Sequence, residues 1–287
     1  MSNYQNMGMN RIKNNNIYAI ILTFDSNIIF VDNLLCRMQM HWPKVELIYR
    51  IPYNTKKPDF LRDKYPDIIF EFIKTQPPIK ETVLSLVSDL SNEDWIYWCI
   101  DDKFPLDINS GKANVLINWL RNQKDDNICG ITFAKVRRLR DKNNLILSDN
   151  ILISGQLNLV ARKSFQKQFW MHQFFRVKII KQVFESFPDY NFKAKLMDDF
   201  ILNVQLDPSY KFYVTNKNLV VFGESASRGI STKSLQRSLV YCGIDNYSEK
   251  EFSTKNILIG RLNTWRTARE YFNYFISRLK NKYWSNG

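Results

Sequence analysis

The sequence predicts an α/β protein whose mostly parallel sheet is flanked by helices and followed by a helical C-terminal tail. Two observations support this prediction. Apolar runs typical of strands buried on both faces alternate with segments of helical spacing between residues 17 and 136, the pattern of parallel α/β sheets. The 287 residues are 45% hydrophobic and include only 9 glycines and 9 prolines, which excludes collagen-like and wholly disordered chains.

The strands of the first half are predicted from short apolar runs rich in β-branched and aromatic residues. We expect them at 17–24, 45–51, 68–73, 95–100 and 128–136. Between these runs apolar side chains recur every three or four positions, which predicts helices at 28–40, 59–65, 79–90 and 111–123. Each helix connects one strand to the next, so the strands are expected to run parallel.

The second half of the chain is less regular. We expect one or two strands at 145–161, a helix at 194–206, a strand region at 212–222, a small-residue loop at 225–231 and a helical tail at 257–284. The predicted organisation is a flexible lead at 1–16, a domain at 17–240 and a basic, aromatic extension at 241–287.

Several polar residues follow predicted strands and are candidates for a common site. Parallel α/β sheets bind ligands at the carboxyl ends of their strands. This rule predicts that one edge of the sheet carries Thr23, Phe24, Asp25, Arg50, Asp101 and Asp102.

An acidic pair, Asp101 and Asp102, directly follows the apolar strand predicted at 95–100. A carboxylate is costly to bury without a counter-charge, and Mg²⁺ or Mn²⁺ uses sparse carboxylates together with phosphate oxygens. The pair therefore indicates a divalent cation site, while the alternative is that both residues cap the turn that follows. A second pair, Asp198 and Asp199, flanks the apolar arc of the helix at 194–206, and its alternative is a polar helix face.

These segments resemble the GT-A glycosyltransferases, in particular the broad family-2-like group. That group opens with an apolar strand and a polar turn, as at 20–27, and some 80 residues later has a strand that ends in an acidic element, as at 96–102. It also has a helix that begins with an acidic pair, as at 195–202. The resemblance covers roughly residues 17–232.

The resemblance implies a GT-A-like, Rossmann-type fold and an inverting glycosyltransferase of bacterial surface polysaccharide synthesis. It implies that Asp101 and Asp102 hold Mn²⁺ or Mg²⁺ and that Asp199, with Asp198 beside it, is the catalytic base. The donor nucleotide sugar would be bound by residues of the sheet edge and of the loop at 225–231, namely Thr23, Phe24, Asp25, Arg50, Asp101 and Arg228. A solvated loop arginine is the alternative for Arg228.

The chain carries 41 Lys+Arg against 28 Asp+Glu, so an anionic partner is expected. The basic, aromatic tail suits an anionic membrane surface and a glycan or lipid-linked acceptor, or else it closes over the domain or forms an oligomer. The segment 162–181 is expected to be an acceptor groove, a nucleic-acid surface or an amphipathic helix that packs its aromatic side chains inward. A non-catalytic basic binding protein for nucleic acid or anionic surfaces remains the alternative function, but it does not explain two acidic pairs, so nucleic acid is not expected.

The cysteine spacing and the hydropathy of the sequence indicate where in the cell the protein is located. Cys36, Cys99, Cys129 and Cys242 form no CxxC motif, so we expect reduced core residues. Residues 1–16 lack the apolar region of a secretory signal, and no apolar run has the length of a membrane-spanning helix. The sequence therefore predicts a cytoplasmic protein, with peripheral contact to the inner face of the plasma membrane as the open alternative.

Overall fold

The computed structural model describes residues 16–133, 145–155, 157–166, 168–190, 192, 196–227, 230–244, 272 and 275–276. Its strands are β1 (Ile17–Leu22), β2 (Leu47–Tyr53), β3 (Ile69–Lys74), β4 (Trp95–Ile100), β5 (Lys103–Ile108), β6 (Ile128–Thr132), β7 (Leu145–Ser154), β8 (Leu157–Arg162), β9 (Gln173–Arg176), β10 (Lys211–Thr215), β11 (Val220–Glu224), β12 (Ala226–Ser227) and β13 (Ile230–Ser231). Its helices are α1 (Ile28–His41), α2 (Phe60–Lys64), α3 (Ile79–Leu86), α4 (Ser110–Arg121), α5 (Val177–Glu185), α6 (Met197–Asn203) and α7 (Lys233–Tyr241).

The central sheet of the described residues has nine strands in the order β3-β2-β1-β4-β9-β6-β10-β8-β7. Strands β3, β2, β1 and β4 run parallel to their neighbours, and β6 is parallel to β10. Strand β9 is antiparallel to both β4 and β6, so these two point the same way. The α/β fold class with a mostly parallel sheet is therefore confirmed.

The middle of the sheet is buried on both faces because its strands carry apolar side chains at consecutive positions. Every residue of β4 is buried, and β1 is buried at all positions except Tyr18. One core lies between the sheet and α1, α2 and α4, and a second lies between the opposite face and α3, α5 and α6. Burial on both faces leaves the ends of these strands as the places where polar groups reach a ligand.

The chain leaves the central sheet immediately after β4. Asp101 and Asp102 form a two-residue turn, and β5 then pairs antiparallel with β11 in a separate two-stranded sheet. The sequence did not predict β5, since it contains Pro105 and follows two acids directly. Its partner, β11, supplies the pairing from more than a hundred positions away. The acidic turn thus forms the corner between two sheets.

The basic, aromatic segment at 162–181 contributes core. Phe165 and Phe169 are 3% and 1% exposed, and Phe174 and Phe175 of β9 are fully buried. These burial values favour the interpretation in which the aromatic side chains pack inward. They do not favour the other two, an acceptor groove and a nucleic-acid surface. The helix of this segment begins only at Val177, because a turn and β9 occupy the residues before it.

Some predictions fall on residues outside the described ranges. These include the lead at 1–16 except residue 16, Arg228, and the tail from 245 onward apart from residues 272, 275 and 276. Within the ranges that the structure describes, no helix is both long and apolar enough to cross a membrane.

A disulfide joins Cys36 of α1 to Cys242 at the end of α7, with 6.2 Å between their Cα atoms. The expectation of four reduced cysteines is wrong for this pair and holds for Cys99 and Cys129, which are free and buried. The two bonded residues are 206 positions apart, so only the packing of α7 on α1 brings them together. The spacing of the two cysteines in the sequence does not predict this contact.

We expect reduction of this disulfide to lower the free energy of unfolding by about 2–4 kcal/mol, because the bond restricts a long loop of the unfolded chain. In denaturant without reductant, a maleimide should label only Cys99 and Cys129; with reductant it should label all four cysteines. The double variant Cys36→Ser/Cys242→Ser should match the reduced protein in stability. Labelling of four thiols without reductant would contradict the bond.

Candidate functional site

The ends of β1 and β4 meet at the expected edge of the sheet. These strands are parallel neighbours, with Leu22 opposite Ile100, so the residues that follow them lie together. The Thr23 hydroxyl donates to Asp101 Oδ2 at 2.7 Å, and the Asn27 side-chain amide donates to the same oxygen at 3.2 Å. The two hydrogen bonds fix the Asp101 carboxylate against the turn after β1. Asn27 was not predicted, although an amide so soon after a buried strand is a usable signal.

Asp101 is 7% exposed, and no basic side chain among the described residues pairs with it. Burial raises the pKa of Asp101 to about 7; the Thr23 hydrogen bond lowers it and the charge of Asp102 raises it further. A carboxylate in this environment is destabilised when ionised. A cation beside it would remove that cost.

Asp102 is more exposed than Asp101, but its Oδ1 atom is buried and accepts no hydrogen bond from the part of the chain that the structure describes. Lys103 Nζ lies 3.5 Å from this oxygen, an ion-pair contact without hydrogen-bond geometry. The backbone of Asp102 receives a hydrogen bond of 2.6 Å from Ser225 N, which brings the loop after β11 to the acidic turn. Ser225 is itself buried, and its Oγ atom has no hydrogen-bond partner within the described ranges. The segment predicted as a small-residue loop at 225–231 therefore begins beside the acidic pair.

The donor set fits a divalent cation that is completed by substrate. Within the described ranges no three acidic, histidine or cysteine side chains form a cluster that could hold a metal alone. Mg²⁺ is typically held by one or two carboxylates, with substrate phosphates and water supplying the other ligands. The buried Asp101 carboxylate and the orphaned Oδ1 of Asp102 match that arrangement.

Asp25 binds the loop that follows β2. Its carboxylate accepts hydrogen bonds from the backbone amides of Asn54 (2.8 Å), Thr55 (2.8 Å) and Lys56 (3.2 Å) and from the Thr55 hydroxyl (2.6 Å). Partial burial raises the pKa of Asp25, but these hydrogen bonds outweigh it and lower the pKa to about 2. Asp25 lies at the predicted edge, where it shapes the rim of the site.

Arg50 lies in the middle of β2 rather than at the sheet edge, which corrects the expected placement. Its guanidinium is buried, pairs with Glu71 at 2.7 Å and with Asp89 at 2.6 Å, and stacks on Tyr18. It also donates to the Leu86 carbonyl oxygen at 2.9 Å. Because these contacts occupy its donors, we assign Arg50 to the fold and leave it out of the candidate site.

Asp198 and Asp199 lie in the first turn of α6, and both side chains are exposed. Helix α6 packs on the same face as α3 and α5, where Phe200 contacts Phe187 just beyond the end of α5. Among the described residues no hydrogen bond or ion pair joins this pair to Asp101 or Asp102. The interactions of the described residues therefore do not join the two acidic pairs.

The remaining residue of the predicted edge is Phe24, which is 44% exposed and follows the buried Thr23. Its carbonyl oxygen accepts from Asn27 N at 2.8 Å, which closes the turn that presents Asn27 to Asp101. An exposed ring beside the acidic turn can pack against a flat ligand group.

The structure resembles several solved enzymes at low identity. The 1–349 fragment of TarS from S. aureus matches with a TM-score of 0.45 and 12% identity, covering 83% of this chain and 68% of that one; it has also been solved with UDP. The glycosyltransferase GlyE of Streptococcus pneumoniae matches with 0.42 and 9%, covering 94% and 63%. The 4-diphosphocytidyl-2C-methyl-D-erythritol synthase of Anaerococcus prevotii matches with 0.41 and 11%, covering 79% and 96%.

These likenesses carry no argument about the function of this chain. No family model matches the sequence, and no curated protein matches it. At these identities and TM-scores, the function of this chain has to be argued from its own residues.

Proposed function

We propose that this protein is a glycosyltransferase that moves a sugar from a nucleotide-sugar donor to a hydroxyl group, with Mn²⁺ or Mg²⁺ at Asp101 and Asp102. One observation supports the proposal most strongly. Asp101, a buried carboxylate with no basic partner among the described residues, lies next to an Asp102 oxygen that accepts no hydrogen bond from them, at the ligand-binding edge of a parallel sheet. A divalent cation with a diphosphate is the ligand whose charge suits this arrangement.

The residues around the acidic turn would each have a defined task. When bound, the cation supplies positive charge that stabilises the leaving nucleoside diphosphate. Thr23 and Asn27 hold Asp101 Oδ2 in place, so the carboxylate that would bind the ion has a fixed orientation. Phe24 offers an exposed face to the donor, and Arg228, which lies outside the described residues, is the proposed bidentate ligand of the phosphates.

Asp199 is our candidate for the base in an inverting transfer, with Asp198 beside it. In this step Asp199 takes the proton of the acceptor hydroxyl, the hydroxyl oxygen forms a bond to the anomeric carbon, and the bond from that carbon to the diphosphate breaks. Two features support the assignment: both carboxylates are exposed to an incoming acceptor, and α6 packs beside the helices that flank β4.

The acceptor we propose is a glycan or a lipid-linked sugar of bacterial surface polysaccharide. The support is the composition of the chain, whose 41 basic residues outnumber 28 acids and whose tail interleaves them with aromatic rings. Such a tail suits peripheral contact with an anionic membrane that carries the acceptor.

We expect Asp101→Asn and Asp102→Asn to weaken Mn²⁺-dependent binding of the donor by at least ~10-fold, because each removes a charged ligand. A thermal-shift screen of nucleotide sugars with and without Mn²⁺ identifies the donor, and calorimetry then compares the variants. Asp59→Asn, an exposed acid whose partner is Lys57, is the matched control and should bind like the parent protein. Unchanged affinity in both site variants would discard the metal role.

We expect Asp199→Asn to lower kcat by about 10²–10⁴-fold while donor affinity stays the same, since the base acts on the acceptor alone. The measurement pairs single-turnover sugar transfer with calorimetry of donor binding. Glu185→Gln changes another exposed acid, on α5, and should retain activity. A fully active Asp199→Asn variant would remove Asp199 from the mechanism.

A further inference from the structure

His172 lies directly beneath the acidic turn, in the bend that leads into β9. It is completely buried, and both of its ring nitrogens are engaged. Nε2 lies 3.1 Å from the carbonyl oxygen of Ile100, the residue before Asp101, and Nδ1 lies 3.0 Å from the Tyr97 hydroxyl. The backbone of Lys103, the residue after Asp102, also interacts with the ring. The imidazole therefore contacts the chain on both sides of Asp101 and Asp102.

We propose that His172 is a positioning residue whose neutral imidazole fixes the corner between β4 and β5 and so holds the two carboxylates in place for the cation. The proposal rests on the metal role of Asp101 and Asp102 given above. His172 does not contact the cation in this account; it acts through the backbone that carries the ligands.

The hydrogen-bond partners define the tautomer. A carbonyl oxygen only accepts, so Nε2 carries the proton and donates to Ile100. Nδ1 is then an acceptor, and the Tyr97 hydroxyl donates to it. Burial lowers the pKa of His172 to about 3, and the nearby charge of Lys103 lowers it as well. The ring thus stays neutral, with a fixed donor at one end and a fixed acceptor at the other.

The place of the ring explains why this corner needs it. The backbone pairing of β9 with β4 ends where Gln173 lies opposite Trp98, so the last residues of β4 lie beyond the ladder. The His172 side chain continues the contact by donating to Ile100. Its other side packs on Phe222 of β11, the partner strand of β5, with 4.6 Å between ring centroids. One side chain therefore joins the two sheets at the turn between them.

The test measures two properties of His172→Phe, which keeps a ring but removes both hydrogen bonds. Hydrogen exchange of residues 95–108 in the metal-free protein reports the mobility of the corner. Calorimetry with Mn²⁺ and inorganic pyrophosphate reports the affinity of the site. We expect faster exchange at the turn and an affinity loss of ~10-fold or more. His172→Gln, which can still donate to Ile100, should recover most of the affinity.

Leu120→Ala serves as the matched control for general destabilisation. Leu120 is buried in α4, and its neighbour Arg121 pairs with Glu46 just before β2, at the opposite edge of the sheet. The Leu120→Ala variant should have a lower melting temperature but the same affinity for Mn²⁺ and pyrophosphate as the parent protein. If His172→Phe does not fold, Tyr97→Phe replaces it, since that change removes only the hydroxyl that bonds Nδ1, and a severalfold loss of affinity is expected.

Three results would overturn the proposal. The first is parental affinity in His172→Phe, or in Tyr97→Phe where that variant replaces it. The second is a His172→Gln variant as weak as His172→Phe. The third is an equal affinity loss in Leu120→Ala, which would show that stability alone sets the binding. Failure of the proposed function has a different signature, because Asp101→Asn and Asp102→Asn would then also bind like the parent protein.

Discussion

The buried carboxylate of Asp101 is the constraint on which the rest of the site depends. The parallel pairing of β1 with β4 places it at the sheet edge, where Thr23 and Asn27 bind one of its oxygens. No basic side chain of the described residues neutralises it, although burying a charge without a partner is costly. The fold therefore holds this carboxylate in a position that is unfavourable without a counter-charge, as is common at functional sites.

The residues around Asp101 form two groups. One group holds the acidic turn in place, and the other forms the rim of the site. His172 and Ser225 contact the backbone on either side of the turn, through Ile100 and Asp102. Asp25 shapes the rim through the loop after β2. The alternative of a non-catalytic basic binding protein accounts for the net charge, but it gives no reason for a buried acid at this edge that no basic residue of the described ranges pairs with.

The sequence predicted the elements whose signal is local. The apolar runs of β1 and β4 predicted the parallel sheet. The rule that ligands bind at the carboxyl ends of its strands predicted that Thr23 and Asp101 lie at the same edge. Strand β5 was missed because it contains Pro105 and directly follows two acids, and β9 because it has only four residues; both also depend on distant partners. His172 bonds to Tyr97 across 75 positions and to Ile100 across 72, and no local pattern encodes such contacts. Arg50 was misplaced because its partners, Glu71 and Asp89, become neighbours only through tertiary packing.

The most direct measurement is the stability of the metal-free protein against pH, compared with Asp101→Asn. Because the folded-state pKa of Asp101 is raised from 3.8 to about 7, ionisation opposes folding, and stability should fall as pH rises from about 4 to about 7. The variant should lack this loss and exceed the parent protein by a few kcal/mol above pH 7, on the order given by the shift. Mn²⁺ with pyrophosphate should restore the parent protein only. Identical pH profiles for both proteins, or an Asp101→Asn variant that Mn²⁺ and pyrophosphate stabilise equally, would contradict the account.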